Sequence, residues 1–559
     1  MAETPRYLET PPDWTDEERP VIPGSPPSIA HPTHKRYLYF IIGTFIALTA
    51  GLSNGFITAN LPQLQGEYGL TPVESAWLPA AYVMANVSSN LILFKARQQY
   101  GLRLFTEIGL LAFIAVMILH IFVQNYHMAI FVRFISGMVA APLSSLGMYY
   151  IMQGFSNAHR LKGLYIGFGF GQLGVPLAWI ISPALVTVNN WTVLYTFELG
   201  LAVCCYAMVV SLKLPRSLRI AVFERQDIYT FLLLAPGFAC LCAVLTQGPL
   251  LWWFDSPWLA YVLMSGFILL VLGFYYEHHR TNPLLMTRWL GTAGVLRFIF
   301  GAFALRFLLS EQSYAAVNFL KTVGMGPDQF VGLYTIIFFG MLAGVVFSAV
   351  TFSRERTILH LVLASFLILV ASKLDAHLTS DIRPQNFFHS QFLIAFANGL
   401  FIGPLLLVGF GRALKEGPSH VVTFIVLFSA TQNFGGLVGS SFYNTYQKHQ
   451  TQIYQMDINR NLTQTDPIVA QRLSQYQAKF TPSITDPTLD QLQAVKTLSQ
   501  TANREAQVRA YNDVINFNSI VAIVLFLWGV CNILWGKYLA YRERIAAQRS
   551  SSFEFRDYL

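Results

Sequence analysis

Residues 133–147 read RFISGMVAAPLSSLG, so that one arginine, Arg133, heads a run that is otherwise apolar, small or hydroxyl-bearing. What that arginine means depends on its solvent. Hydrophobic residues make up 54% of the 559-residue chain and charged ones only 12%, with a mean hydropathy of +0.46, whereas soluble chains are roughly 25% charged. The solvent is therefore lipid. A hydrocarbon core about 30 Å thick takes roughly 20 apolar residues of helix to cross, and the run around Arg133 is the fourth of fourteen such segments, from 37–59 and 74–94 at the start to 420–445 and 516–536 at the end. An all-α membrane protein follows. A charge at bilayer depth is costly and points to function or to a buried partner.

Orientation follows from the loops, because lysine and arginine concentrate on the cytoplasmic side. With the N-terminus inside, the inner loops hold fifteen of them and the short outer loops only three, Lys321, Lys373 and Arg383. The net charge of +8 is then mostly this bias, and no nucleic-acid partner is implied. Residues 1–34 carry eight prolines, which exclude a helix and predict a disordered tail. Between the last two spans, 446–515 is a Gln-rich outer loop with turn signals at Asp466-Pro467 and Asp486-Pro487. It reads as a helical excursion that joins two spans, or as a docking surface. The five cysteines lie in apolar spans and form no disulfide or zinc pattern. Gly169, Gly171 and Gly174 have G-x-G-x-x-G spacing, but a dinucleotide site needs a βαβ unit; inside a membrane span, close helix packing explains them better. No nucleophile constellation or soluble output domain is visible, so neither an enzyme nor a cofactor is expected, and a membrane sensor or enzyme is the remote alternative.

The order of motifs resembles the 14-span drug:proton antiporters of the major facilitator superfamily, the EmrB/QacA group, over roughly 38–540. Arg133, Gly137, Ala140 and Pro142 match its fourth-span signature, Trp191 opens the sixth span, Asp227 opens the seventh, and WFDSP at 253–257 resembles the turn between the two extra spans. Asn282-Pro283 matches the linker after them, Gly174 and Pro176 lie where the fifth-span antiporter motif falls, and Gly435, Gly436 and Gly439 sit like the glycines of the penultimate span. The chain departs from the pattern as well. Ser53 stands where members commonly carry a first-span aspartate, LFKARQQYGLR at 93–103 keeps only Gly101 and its basic residues from the loop motif, and Gln432 replaces an arginine.

The resemblance implies a major facilitator fold of fourteen helices. Its parts are a disordered cytoplasmic tail over 1–36, a six-helix bundle over 37–212, two inserted spans with linkers over 213–292, a second six-helix bundle over 293–541 bearing the periplasmic loop 446–515, and a cytoplasmic tail over 542–559. It also implies proton-coupled efflux of small amphipathic compounds, drugs or toxic organic anions, across a bacterial inner membrane, with multidrug resistance as the consequence. A dedicated exporter of a siderophore or other anionic metabolite is the alternative, and a periplasmic adaptor with an outer-membrane channel is the implied partner. Glu198 and Glu311 are the proton-coupling candidates. Arg133, Arg306, Asn54, Asn60, Gln172 and Asn433 are the candidates for contact with cargo, and Gly137, Pro142, Gly174, Pro176, Gly435 and Gly439 are structural. With no acid in the first span, Arg133 is expected to lack a charge partner and, with Arg306, to bias the cavity towards anions.

Overall fold

The computed structural model describes residues 8–10, 13–15, 18–20, 25–156, 159–186, 191–353, 356–463, 465–484 and 486–554. Parts of both expected tails, at 1–7, 11–12, 16–17, 21–24 and 555–559, lie outside the described residues. Among the described residues fourteen helices are long and apolar enough to cross a membrane. The first six are α1 (Thr33–Ala59), α2 (Pro72–Tyr100), α3 (Leu102–Ile121), α4 (Tyr126–Gly154), α5 (Lys162–Leu185) and α6 (Thr192–Ser211). Then come α7 (Arg225–Gln247) and α8 (Pro257–His279). The last six are α9 (Ala293–Thr322), α10 (Pro327–Thr351), α11 (Thr357–Leu374), α12 (Pro384–Glu416), α13 (Ser419–Asn461) and α14 (Pro487–Leu539). An even number of crossings puts both termini on one face, called here the terminal face; the other is the distal face.

The packing divides the helices as 6 + 2 + 6. In the first bundle α1 packs on α4 and α5, α2 on α4, and α3 on α6; in the second α9 packs on α13, α10 on α12, and α11 on α12 and α14. The inserted α7 packs on α8, on α2 and on α13, so the extra pair covers one seam between the bundles. Across the other seam α5 meets α10, where the Trp179 and Tyr334 rings stack at 4.5 Å. Close crossings explain Gly169 and Gly174 of α5, whereas a Cβ on Gly171 would meet open space. A Cβ on Gly51 would lie 2.5 Å from the Gly171 carbonyl oxygen and one on Gly174 2.6 Å from the Gly51 Cα, so α1 and α5 touch backbone to backbone. Pro142 and Pro404 sit inside α4 and α12, and α9 widens into a π turn over Gln312–Ala316.

Charged groups at the terminal ends of α2, α7 and α8 form a buried network. Asp227 accepts from Lys95 Nζ at 2.8 Å and from Arg280 Nη2 at 3.0 Å, and Arg280 Nη1 bonds Glu277 Oε1 at 2.8 Å. Asp227 is fully buried and Glu277 nearly so. The two inserted helices are thereby tied to the first bundle. Glu107, an acid within α3, pairs with Lys213 at 3.0 Å.

One segment goes further than the sequence reading, which expected a short helical excursion, and a second differs from it. The outer loop is mostly helix: α13 runs unbroken to Asn461, a helix at Pro467–Phe480 follows, and the last helix already begins at Pro487. At 43 residues α13 is about 65 Å long, far beyond a hydrocarbon core of about 30 Å. The Asp-Pro signals are helix starts, since Asp466 and Asp486 accept the amides of Ile468 and Thr488, each at 2.8 Å. The three helices form a stalk on the distal face, pinned by Tyr454 Oη donating to Asp513 at 2.8 Å.

The segment that differs is the N-terminal one. Ser25 and Ser28 are buried, and the buried Arg160 donates to the carbonyls of Pro27 at 3.1 Å and Ile29 at 2.8 Å. Prolines exclude a helix there, yet an extended proline-rich strand keeps its carbonyls free to accept. The segment is therefore held in an extended form against the ends of α4 and α5.

Candidate functional site

Five helices, α1 to α4 and α6, bring the site in the first bundle together. Arg133 on α4 is 3% exposed, donates from Nη2 to Asn54 Oδ1 of α1 at 2.8 Å, and stands over the Tyr82 ring of α2 at 4.6 Å. The neighbouring Gly137 makes this fit possible, because a Cβ there would collide with the Tyr82 carbonyl. Nε and Nη1 of Arg133 have no hydrogen-bond partner among the described residues.

Glu198 of α6, also 3% exposed, turns inward rather than to lipid. It is the acid whose charge acts on Arg133, and Ser53 borders it. Its Oε1 has no hydrogen-bond partner among the described residues. About 10 Å of helix rise separates Tyr126 from Arg133 and about 9 Å separates Thr192 from Glu198, so the two groups lie at matching depths below the distal face. Arg133 forms no ion pair among the described residues, but an acid does act on it through its charge. The acid comes from α6, not α1.

Aromatic groups missed in the sequence complete the shell. His120 of α3 is 4% exposed, lies within electrostatic reach of Arg133, and stacks on Tyr195 of α6 at 5.4 Å. Its Nδ1 bonds the Val116 carbonyl oxygen at 3.1 Å, while Nε2 has no partner among the described residues. No signal in a single apolar helix distinguishes such a histidine from a core residue.

The other candidates do not join this group. Asn60 is a buried brace, bonding the Phe56 carbonyl oxygen at 2.7 Å and Ser182 Oγ. Gln172 is half-buried beside the break in α5 at Leu173. Pro176 is buried. Asn433 bonds the Ser429 carbonyl oxygen at 2.9 Å, and Asn90 of α2 donates to Ser429 Oγ at 3.2 Å, which makes a polar bridge between the bundles that sequence reading did not find.

Arg306 and Glu311 belong to the second bundle. Arg306 of α9 is half-buried, donates from Nε to the Gln432 carbonyl oxygen at 3.3 Å, and packs on Gly435, where a Cβ would lie 2.9 Å from its own Cβ. Gly439 gives room to Ser310 in the same way. Glu311 is fully buried, and neither carboxylate oxygen has a hydrogen-bond partner among the described residues.

Fourteen spans in a 6 + 2 + 6 arrangement, with ionisable groups buried between helices, define a carrier rather than a soluble catalyst. Residues 43–440 match the family described as Major Facilitator Superfamily, and the chain belongs to that superfamily. Among solved structures it is similar to the human organic anion transporter MFSD10 (TETRAN), at 11% identity over 88% of this chain and 100% of that one, with a TM-score of 0.52. It is also similar to a double tryptophan mutant of XylE, the E. coli xylose transporter, at 14% identity over 75% and 90% of the two chains, TM-score 0.51. Identities this low show the fold alone. No curated protein matches the chain in sequence. The fold is that of a membrane transporter for a small molecule.

Proposed function

We propose that the chain is a proton-coupled exporter of small amphipathic compounds, of the 14-span drug:proton antiporter kind, with its terminal face in the cytoplasm and its stalk outside a bacterial inner membrane. The observation that carries this reading is the group formed by Arg133, Glu198, Ser53 and Asn54. In the antiporters it resembles, the first-span acid faces the fourth-span arginine. Here Ser53 holds that position and Glu198 acts on the same arginine through its charge from α6, without a direct ion pair, so an acid influences Arg133 by another route. Protonation of Glu198 leaves Arg133 without its counter-charge, and deprotonation restores the balance; a proton carrier needs two such states.

The charge of the cargo decides the direction of coupling. Antiport requires that cargo and proton exclude each other. A cationic amphiphile does so at this pair, because its charge favours the ionised carboxylate. An anion binds best at Arg133 while Glu198 is protonated, so anion and proton would travel together. Export of an anionic metabolite remains the second reading, favoured by Arg306, whose Nε contact is a backbone carbonyl and not an acid. That reading needs an exchangeable proton away from Arg133. Exposed Ile453, Met456, Ile468 and Leu492 give the stalk apolar surface for a periplasmic adaptor.

Purified protein in liposomes under a pH gradient, challenged with matched cationic and anionic dyes, tests the proposal. Wild type should move protons when dye is transported, and Glu198→Gln should lose pH-driven export while retaining dye binding and counterflow. Normal pH-driven export by that variant would overturn Glu198 as the carrier. No dye-dependent proton movement in wild type would overturn proton coupling itself.

A further inference from the structure

Glu311 does not stand alone inside the second bundle. Asp375, one residue beyond α11 and 6% exposed, is the charged group that acts on it. Side-chain hydrogen bonds connect the two elements: Gln312, next in sequence to Glu311, donates from Nε2 to Gln391 Oε1 at 3.1 Å, and Gln391 Nε2 donates to Asp375 Oδ2 at 3.4 Å. On the facing helices Tyr443 of α13 donates to Asn518 of α14 at 2.6 Å, and Asn518 Nδ2 donates to Ser372 of α11 at 2.9 Å. The π turn of α9 begins at the residue after Glu311, a feature frequent at functional sites.

What faces the pair is acidic or phenolic. Tyr443 interacts with Glu311, and Tyr314 on the same turn with Tyr511 of α14. The cations of the region are turned elsewhere: Arg306 bonds the Gln432 carbonyl, Lys321 stands 5.5 Å over the Trp179 ring, and Lys373, His377 and His389 are exposed. Two carboxylates cannot both stay ionised in such surroundings. Like charges and burial each oppose ionisation, and an ionised Glu311 would leave two acceptor oxygens without a donor. Outside the span, burial pushes the Asp375 carboxyl up, against the hydrogen bonds from Ser390 and Gln391 that pull it down.

We propose that Glu311 and Asp375 hold one proton between them and form a second proton site, in the bundle that does not contain Glu198. About 16 Å of helix separates Glu311 from the distal end of α9 at Thr322 and about 27 Å separates it from the terminal end at Ala293, so the pair lies nearer the side opposite the termini. A proton exchanged here does not pass through Arg133, which frees Arg133 and Arg306 for an anionic group on the cargo. This part in transport rests on the proton-coupled reading above; the existence of the site does not.

An infrared pH titration of the full chain in nanodiscs, reading the carbonyl stretch of protonated carboxyls, separates the two. In the Glu198→Gln background a protonated-carboxyl band should remain. Adding Glu311→Gln should remove it, and adding Asp375→Asn should shift its frequency and its titration midpoint; each replacement is isosteric, and monodisperse elution checks folding. A band unchanged by both, or one abolished by sodium at constant pH, would overturn the proton site, the latter in favour of a monovalent metal ion. In liposomes, Glu311→Gln should lower the number of protons moved per dye. An unchanged ratio would overturn its part in transport, whereas a wild type that moves no protons while keeping the infrared band would sink only the reading of proton-coupled export.

Discussion

Single residues decide the geometry around Arg133. Gly137 lets the Tyr82 backbone approach α4, and the same Tyr82 carries the ring beneath the guanidinium. Gly137→Ala should therefore cost about 1–3 kcal/mol through overpacking, seen as a lower Tm in detergent, and should also reduce export because the ring moves under Arg133. Lost stability with full export would show that the ring does not position the arginine. Arg133, Glu198 and Glu311 stood out in the sequence because an ionisable group in an apolar span is costly and calls for a function or a buried partner. Their partners were not. Tyr82, His120 and Tyr195 are of the types that line any apolar core, and the meeting of Glu198 with Arg133 is set by how α6 turns against α1 and α4.

Among the elements, the inserted pair depends on Asp227. Removing it leaves Lys95 and Arg280 buried without that partner, and breaking such a group costs about 3–5 kcal/mol. Asp227→Ala should unfold at a clearly lower temperature, while Glu107→Ala, which breaks a half-exposed pair, should change it little, since such pairs contribute about 0–1 kcal/mol. Equal losses in both would mean that the network does not hold α7 and α8. The number of spans and the inserted position of α7 and α8 were readable from hydropathy and from motif order. The π turn in α9 was not, since no propensity distinguishes one; the stalk was legible only as a short helical excursion, not as long continuations of two spans with a third helix packed on them through buried Val469 and Ala494.

At the scale of the whole molecule, the N-terminal segment closes against the terminal face, with His31 Nε2 3.1 Å from Gln153 Oε1. Burial lowers the His31 value below 6.5, the charges of Arg160 and Lys35 act the same way, and the hydrogen bond to Gln153 opposes them. The undocked segment thus takes up a proton more readily than the docked one, so docking is fully retained above about 6.5 and weakens as pH falls below it. Limited proteolysis within residues 8–30 should accelerate on acidification in wild type and stay flat in His31→Gln; identical profiles would remove His31 from the docking. At the opposite face, the stalk is built from the uninterrupted continuations of α13 and α14. Carriers of this fold rock one bundle against the other, and a helix that crosses the membrane and leaves it without a joint cannot rock at one end only. On the proposed reading the stalk would act as a lever arm on the second bundle: a small tilt at the seam would become a stroke of several ångströms at the tip, and an adaptor held there would be pushed once in each transport cycle.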